Sequence, residues 1–309
     1  MSAIPVADPP RDVLRRDEAA ARAARVRDVR YDLALELTAG EGHYTGRTIV
    51  AFELLPGEGA VWLDHTASAG DPVVLVNGEP LADPQVGHRI VLPDGLPAGR
   101  VEVRVDYRHA YDSTGDGFHR FLDPEDATEY VYSNFQPFEA HRLFPCFDQP
   151  DLKACFRVTV DAPAHWSVVS ATRATVEELP AGDRRHRFAE TPPISSYLLP
   201  VIAGEWHSVH EERDGLSLGL YARRSMARFL EREAGELFEI TRQGFACYAA
   251  MFDQPYAFGD KYDQLFVPEF NAGAMENVAA VTFHDSFLFR DPPTEPERLT
   301  RAEVVLHEL

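Results

Sequence analysis

Between Val29 and about residue 208 the chain is a succession of short β-branched runs, among them YDLALEL, RTIVAFELL, DPVVLVNG, RVEVRVDYRHAY, ACFRVTVDAP and WSVVSAT, separated by Gly, Pro, Asn and Asp. Several alternate apolar with polar residues, the period that sets one face of a strand against a core and the other in water. Runs of this length at this spacing predict an all-β, sandwich-like domain of antiparallel sheets. Within VVLVNGEPL, Asn77 and Gly78 form the pair that favours a tight hairpin turn.

The texture then changes. In SMARFLEREAGELFEITRQGFACYAAMF the apolar residues Phe229, Leu237, Ile240, Phe245 and Tyr248 recur near helical spacing, which predicts one helix, or two with a break near Gly235. YDQLFVPEF returns to strand, GAMENVAAVTFHDSFLF reads as strand again, and TRAEVVLHEL opens a helix. An N-terminal lead-in over 1–27, a β-domain over 28–208 and an α+β segment over 209–309 follow, with the change of texture near residues 206 to 212. The lead-in contains LRRDEAAARAARVR, a helix-favouring mixture expected to form a short solvated helix. In the last segment Thr300 and Glu303 have capping-box spacing, ahead of an apolar stripe of Ala302, Val305, Leu306 and Leu309.

The chain has 309 residues, enough for two domains, and 45% of them are apolar, an ordinary content for a protein with buried cores. A net charge of −20 without a basic stripe argues against nucleic acid and against an anionic membrane surface as partners. Cys146, Cys155 and Cys247 lack CxxC spacing, which argues against a disulfide framework or a cysteine zinc site and fits a reducing compartment. The N-terminal stretch has no apolar h-region and no run long enough to span a bilayer, so the expectation is a cytoplasmic protein.

Two stretches could carry chemistry. His307 and Glu308 have the letters that open H-E-x-x-H, a zinc site written on a helix, and His307 would share a face with position 311 one turn on. A bare His-Glu pair is not specific, because His210 and Glu211 supply another, and a capped amphipathic helix with an exposed histidine is the competing reading. The second stretch is GAMEN, residues 273–277, with strand signals on both sides. Gly273 and Ala274 leave backbone uncovered for an extended peptide to pair with, and Glu276 could receive an ammonium group. An edge strand with a solvated Glu276 would look the same. His141, Cys146 and Asp148 in AHRLFPCFDQP read as a buried turn, since a free cysteine behaves as a small hydrophobe.

GAMEN lies some thirty residues before the His-Glu pair, as it does in the aminopeptidase N family of zinc metallopeptidases, which the chain resembles over nearly its whole length. YSNFQPFEAHRLFPCFDQPDLKACFRVTVDAP and PPISSYLLPVIAGEW resemble further segments of that family's N-terminal β-domain. The resemblance implies that residues 209–309 begin a thermolysin-like catalytic domain and that peptides with a free N-terminus are the substrates. It makes His307 a ligand of a single Zn2+ ion and Glu308 the general base. Glu276 would anchor the substrate α-ammonium, with Gly273, Ala274, Met275 and Asn277 completing the substrate-binding segment. Gln136 aligns with a position often occupied by glutamate that assists this anchoring, and Asn134 with a neighbour often glutamine. A neutral amide there adds no charge, so anchoring would rest mainly on Glu276. The family's remaining zinc ligands and its oxyanion-stabilising tyrosine would lie beyond Leu309. The chain therefore reads as an N-terminal fragment that ends inside the zinc motif and is inactive alone. A non-catalytic interaction scaffold of the same architecture and a bifunctional aminopeptidase/epoxide hydrolase relative are the alternatives.

Overall fold

The computed structural model describes residues 12–66, 70, 72–180, 182–213 and 215–309; the first eleven residues of the lead-in lie outside this set. Two units follow one another. The first is all β, and its largest sheet has eight strands, with Val26–Glu36, His43–Leu54 and Gly99–Ala110 side by side at its centre. The alternation in these sequences becomes alternation in burial. Tyr31, Leu33, Leu35, Val50, Phe52, Val101, Val103 and Val105 face one core while their neighbours face out. A four-stranded sheet of Ser167–Ser170, Val201–Gly204, Glu129–Asn134 and Gly117–Leu122 and a small three-stranded one complete the unit. Asn77 and Gly78 both take left-handed backbone between Val73–Val76 and Glu79–Pro80, the hairpin that their letters predict.

One pairing departs from the antiparallel expectation. Val26–Glu36 runs parallel to Ala154–Pro163, with Val29 opposite Ala154 and Glu36 opposite Asp161. A parallel neighbour needs a long crossover. Period-two alternation is the same for either direction, so the runs themselves could not reveal it.

The helix α1, Arg16–Arg25, is less solvated than its composition predicts. Arg22 is fully buried, with Nη1 donating to Asp64 Oδ2 at 2.7 Å and Nε to Gln149 Oε1 at 3.0 Å, and its guanidinium lies 5.0 Å from the Trp62 ring centroid. Asp64 also accepts from Trp62 Nε1 at 3.0 Å and from the backbone of Asp148 at 3.1 Å. The FPCFDQP turn is thus fastened to α1 and to the strand Trp62–Asp64. Cys146 is buried within it, and burial raises its thiol well above the ordinary range, as suits an inert core residue.

His141 is buried in the same turn, with Nδ1 at 2.7 Å from Asp148 and Nε2 at 3.0 Å from Asp12. Burial alone would lower its pKa, but the hydrogen bonds and charges of the two carboxylates outweigh this and raise it to about 10. A histidine held protonated only in the folded state contributes stability that is complete below its unfolded pKa of about 6.5 and fades as the pH climbs through the folded value. The thermal midpoint should therefore fall between pH 7 and 10, and His141→Gln should flatten that slope. Scanning fluorimetry across this range checks both. An equal slope in the variant would assign the pH dependence to other groups.

The chain changes sheet between Gly204 and His207, where a five-stranded sheet begins. Its order is His207–Arg213, Leu216–Ala222, Lys261–Val267, Ala280–His284 and Ala274–Met275, the last lying at the edge. The three middle strands are parallel, and the helix α2, Ala227–Phe252, makes the crossover between the first two of them. It runs unbroken through Gly235. A helix-interior glycine costs only about 1 kcal/mol, and Phe229, Leu230, Ala234, Leu237 and Phe238 carry the face that packs on the sheet. A third core of Tyr130, Tyr132, Ile202, Trp206, Tyr221, Leu265 and Phe270 joins the two units.

The final helix, α3, spans Glu295–His307 and is capped by Thr294 and Glu297, not by Thr300 and Glu303. Thr-x-x-Glu occurs twice six residues apart, and the residues that the earlier copy adds to the helix stay exposed, with Arg298 3.6 Å from Glu236. Within the second copy Arg301 is fully buried, bonded to Glu233 on α2 at 2.8 Å and paired with Glu236 at 3.0 Å. Among the described residues no helix is long and apolar enough to cross a membrane.

Candidate active site

The GAMEN letters form the free edge of the five-stranded sheet. Ala274 and Met275 pair antiparallel with Phe283 and Thr282, and His284 N donates to Gly273 O at 2.9 Å. Glu276 leaves this edge exposed to solvent. Met275 and Asn277, by contrast, turn inward. Asn277 donates from Nδ2 to Thr282 Oγ1 at 3.3 Å, so its side chain holds the turn rather than the outer face. Gly273 is exposed with open space where a Cβ would stand. The uncovered part of the motif is therefore the backbone of residues 273–274 and the carboxylate of Glu276.

The β-domain reaches this edge through the one-turn helix Ser196–Leu198. Val278 N donates to Leu198 O at 3.1 Å, which brings Tyr197 against Glu276. Burial raises the Tyr197 phenol, and the adjacent Glu276 charge and a hydrogen bond to it raise it further. Tyr197 was not among the residues singled out in the sequence. Its only signal was its place in SSYLLP, the segment that closes the β-domain, and its contact lies in a different domain.

Glu308 comes to the same place from the end of α3. Tyr248 OH donates to Leu306 O at 2.8 Å and Tyr262 OH to Glu308 O at 3.2 Å, which fixes the helix terminus on both sides. Gly244 on α2 makes this approach possible, since a Cβ there would fall 2.2 Å from a Leu309 methyl and 2.6 Å from one of Leu306. The Glu308 carboxyl is largely buried, and its Oε2 has no hydrogen-bond partner. Burial, and after it the negative charge of Glu276, push its pKa up to about 7. Two carboxylates 32 residues apart in sequence thus share one field at the sheet edge.

His307 is exposed beside Glu308 and borders an open cavity of about 530 Å³ whose other walls include Phe245, Tyr248, Phe252 and Tyr256. Among the described residues no three His, Cys, Asp or Glu side chains are grouped to hold a metal ion. These residues do not make a complete zinc site. Gln136 is exposed at the end of the β-domain strand Glu129–Asn134. Asn134 is buried and already engaged, donating to Gly115 O at 2.9 Å and Asp116 Oδ1 at 3.2 Å, so its amide braces a loop and is not free for a substrate.

The Peptidase M1 N-terminal domain family matches residues 28–198, more than half of the chain, and the Peptidase family M1 domain matches residues 236–309. The chain belongs to the M1 peptidase family. Among curated M1 relatives it is 44% identical over 304 residues to aminopeptidase N of Streptomyces lividans, an alignment covering 96% of this chain and 34% of that protein. It is 33% identical over 230 residues to a probable M1 family aminopeptidase 2 of Encephalitozoon cuniculi, with coverage of 72% and 26%. With aminopeptidase N of Acetobacter pasteurianus the identity is 35% over 192 residues, covering 58% and 50%. The chain thus spans between a quarter and a half of the length of these M1 relatives.

Proposed function

We propose that the sheet edge is the amine-anchoring half of a zinc aminopeptidase centre, acting in a longer protein on peptides with a free N-terminus. The observation that carries this reading is the convergence of Glu276 and Glu308, from an edge strand and a helix end, beside uncovered backbone. In this reading a peptide extends the five-stranded sheet by pairing with residues 273–274, and Glu276 takes its α-ammonium by a charge-assisted hydrogen bond. That places the first peptide bond within reach of Glu308, a carboxyl whose burial suits it to take and return a proton near neutrality. Gln136 assists from the β-domain as a neutral acceptor, and Tyr197 keeps Glu276 in place. His307 is one ligand of the zinc ion, whose chemistry when bound is to polarise the scissile carbonyl and activate water.

The amine requirement is the direct test. In the enzyme at the full length of its relatives, a leucyl anilide should be cleaved and its N-acetyl counterpart should be turned over at least about a hundredfold more slowly, since acetylation removes the charge that Glu276 binds. Equal turnover of the two would remove the ammonium anchor from the mechanism.

A further inference from the structure

Asp116 stands in the β-domain loop that enters the strand Gly117–Leu122, half-buried, and it divides its carboxylate between the two segments that carry the amine site. Oδ1 accepts from Asn134 Nδ2 at 3.2 Å, and Oδ2 accepts from Asn271 Nδ2 at 3.0 Å. Asn134 lies two residues before Gln136, and Asn271 lies five before Glu276. Both partners present amide N–H groups, and each carboxylate oxygen accepts one of them.

The rest of the loop makes the same connection. Asn134 and Asn271 donate also to the backbone carbonyls of Gly115 at 2.9 Å and Thr114 at 2.6 Å. Gly115 has a left-handed φ of 83°, and a Cβ there would fall 2.7 Å from the Asn271 amide, so the close seat requires glycine. Behind it the buried His119 accepts from Gly115 N at 3.0 Å through Nδ1, which leaves the proton on Nε2, 3.3 Å from Glu269. Tyr132 OH donates to Pro268 O at 2.8 Å. Residues 268–271, immediately before GAMEN, are therefore gripped along their length by the β-domain.

We propose that Asp116 is a positioning residue that fixes the separation of Gln136 and Glu276, and with it the fit of the substrate ammonium; this rests on the amine-site reading above. Loss of the bridge should loosen ground-state and transition-state binding alike, which raises KM and leaves kcat nearly unchanged. In the full-length enzyme, Asp116→Ala should raise KM for a leucyl anilide about tenfold, with kcat within about twofold, as expected for one or two charge-assisted hydrogen bonds. Asp116→Asn retains one acceptor and should fall in between. Asn271→Ala removes the same bridge from the other side and keeps the test open should Asp116→Ala fold poorly. The double variant should be no worse than the weaker-binding single one, because the two changes break one link.

Unchanged KM in both single variants, multiplicative losses in the double, or a fall in kcat with KM unaltered would each overturn the proposal. Glu276→Ala separates it from the reading beneath. If that variant raises KM while Asp116→Ala and Asn271→Ala do not, the bridge is refuted and the amine site stands. If Glu276→Ala leaves kcat/KM unaltered, the amine site itself is wrong.

Discussion

Glu276→Ala, made in the full-length enzyme, should lower kcat/KM for free-amine peptides by roughly thirtyfold to several thousandfold. The range follows from the loss of a charged partner enclosed with its counter-ion, about 2–5 kcal/mol, at about 1.4 kcal/mol per decade. In the present structure Glu276 is exposed. Its charge gains strength only when a peptide laid along residues 273–274 excludes water from the pair. Glu276→Gln keeps the shape and loses the charge, and should recover little of the deficit if charge is what matters. A second effect is specific to the geometry. With the Glu276 charge gone, the Glu308 carboxyl loses the smaller of the two influences that raise it and should titrate lower, while burial still holds it above the ordinary carboxylate range. Kinetics with a leucyl anilide, and difference infrared titration of Glu308 in the metal-free protein, measure the two effects. Wild-type kcat/KM in Glu276→Ala would contradict the proposed role.

Asp64→Ala should be the most destabilising of the conservative truncations in the β-domain. The Arg22–Asp64 pair is not a net source of stability, since burial raises the Asp64 carboxyl in spite of the adjoining guanidinium. Desolvation outweighs attraction in such a pair, yet removal of one partner leaves the other charged and buried, at about 3–5 kcal/mol. Asp64→Ala also strands Trp62 Nε1 and the backbone N–H of Asp148. A fall of roughly 10 °C in the thermal midpoint is expected for a domain of this size. Replacing both members, as in Arg22→Met with Asp64→Leu, should restore much of it. Tryptophan fluorescence reports the transition well, because Trp62 stacks on both Arg22 and Arg89. A midpoint within about 2 °C of wild type for Asp64→Ala would mean that water reaches Arg22 at small cost.

Local order in this chain is legible because it is written in local letters. The alternation in YDLALEL and RVEVRVDYRHAY fixes which side chains enter the core, and Asn77-Gly78 fixes a turn, since both depend on neighbours in sequence. GAMEN and His307-Glu308 are legible for a different reason, as letters shared with a family, and the structure adds what letters cannot carry. It separates Glu276 and the bare backbone of residues 273–274, which face outward, from Met275 and Asn277, which face inward. Contacts across domains were invisible. Tyr197 meets Glu276, and Asp116 meets Asn271, over separations that no window of periodicity spans. The start of α3 lies one capping signal earlier than the apolar stripe indicates, because the residues it adds, 295–300, are exposed and carry no stripe.

The parallel seam between Val26–Glu36 and Ala154–Pro163 has a consequence for how the protein is made. On a ribosome the first of these strands emerges roughly 120 residues ahead of the second, which at ~5–20 residues per second is a wait of about ten seconds. His43–Leu54 can cover one side of it early, as the next strand in the chain. The other side stays open, a ladder of unpaired amides and carbonyls flanked by Tyr31, Leu33 and Leu35. Nascent chains of this protein should therefore be most vulnerable to aggregation, and most in need of a holding chaperone, during that interval.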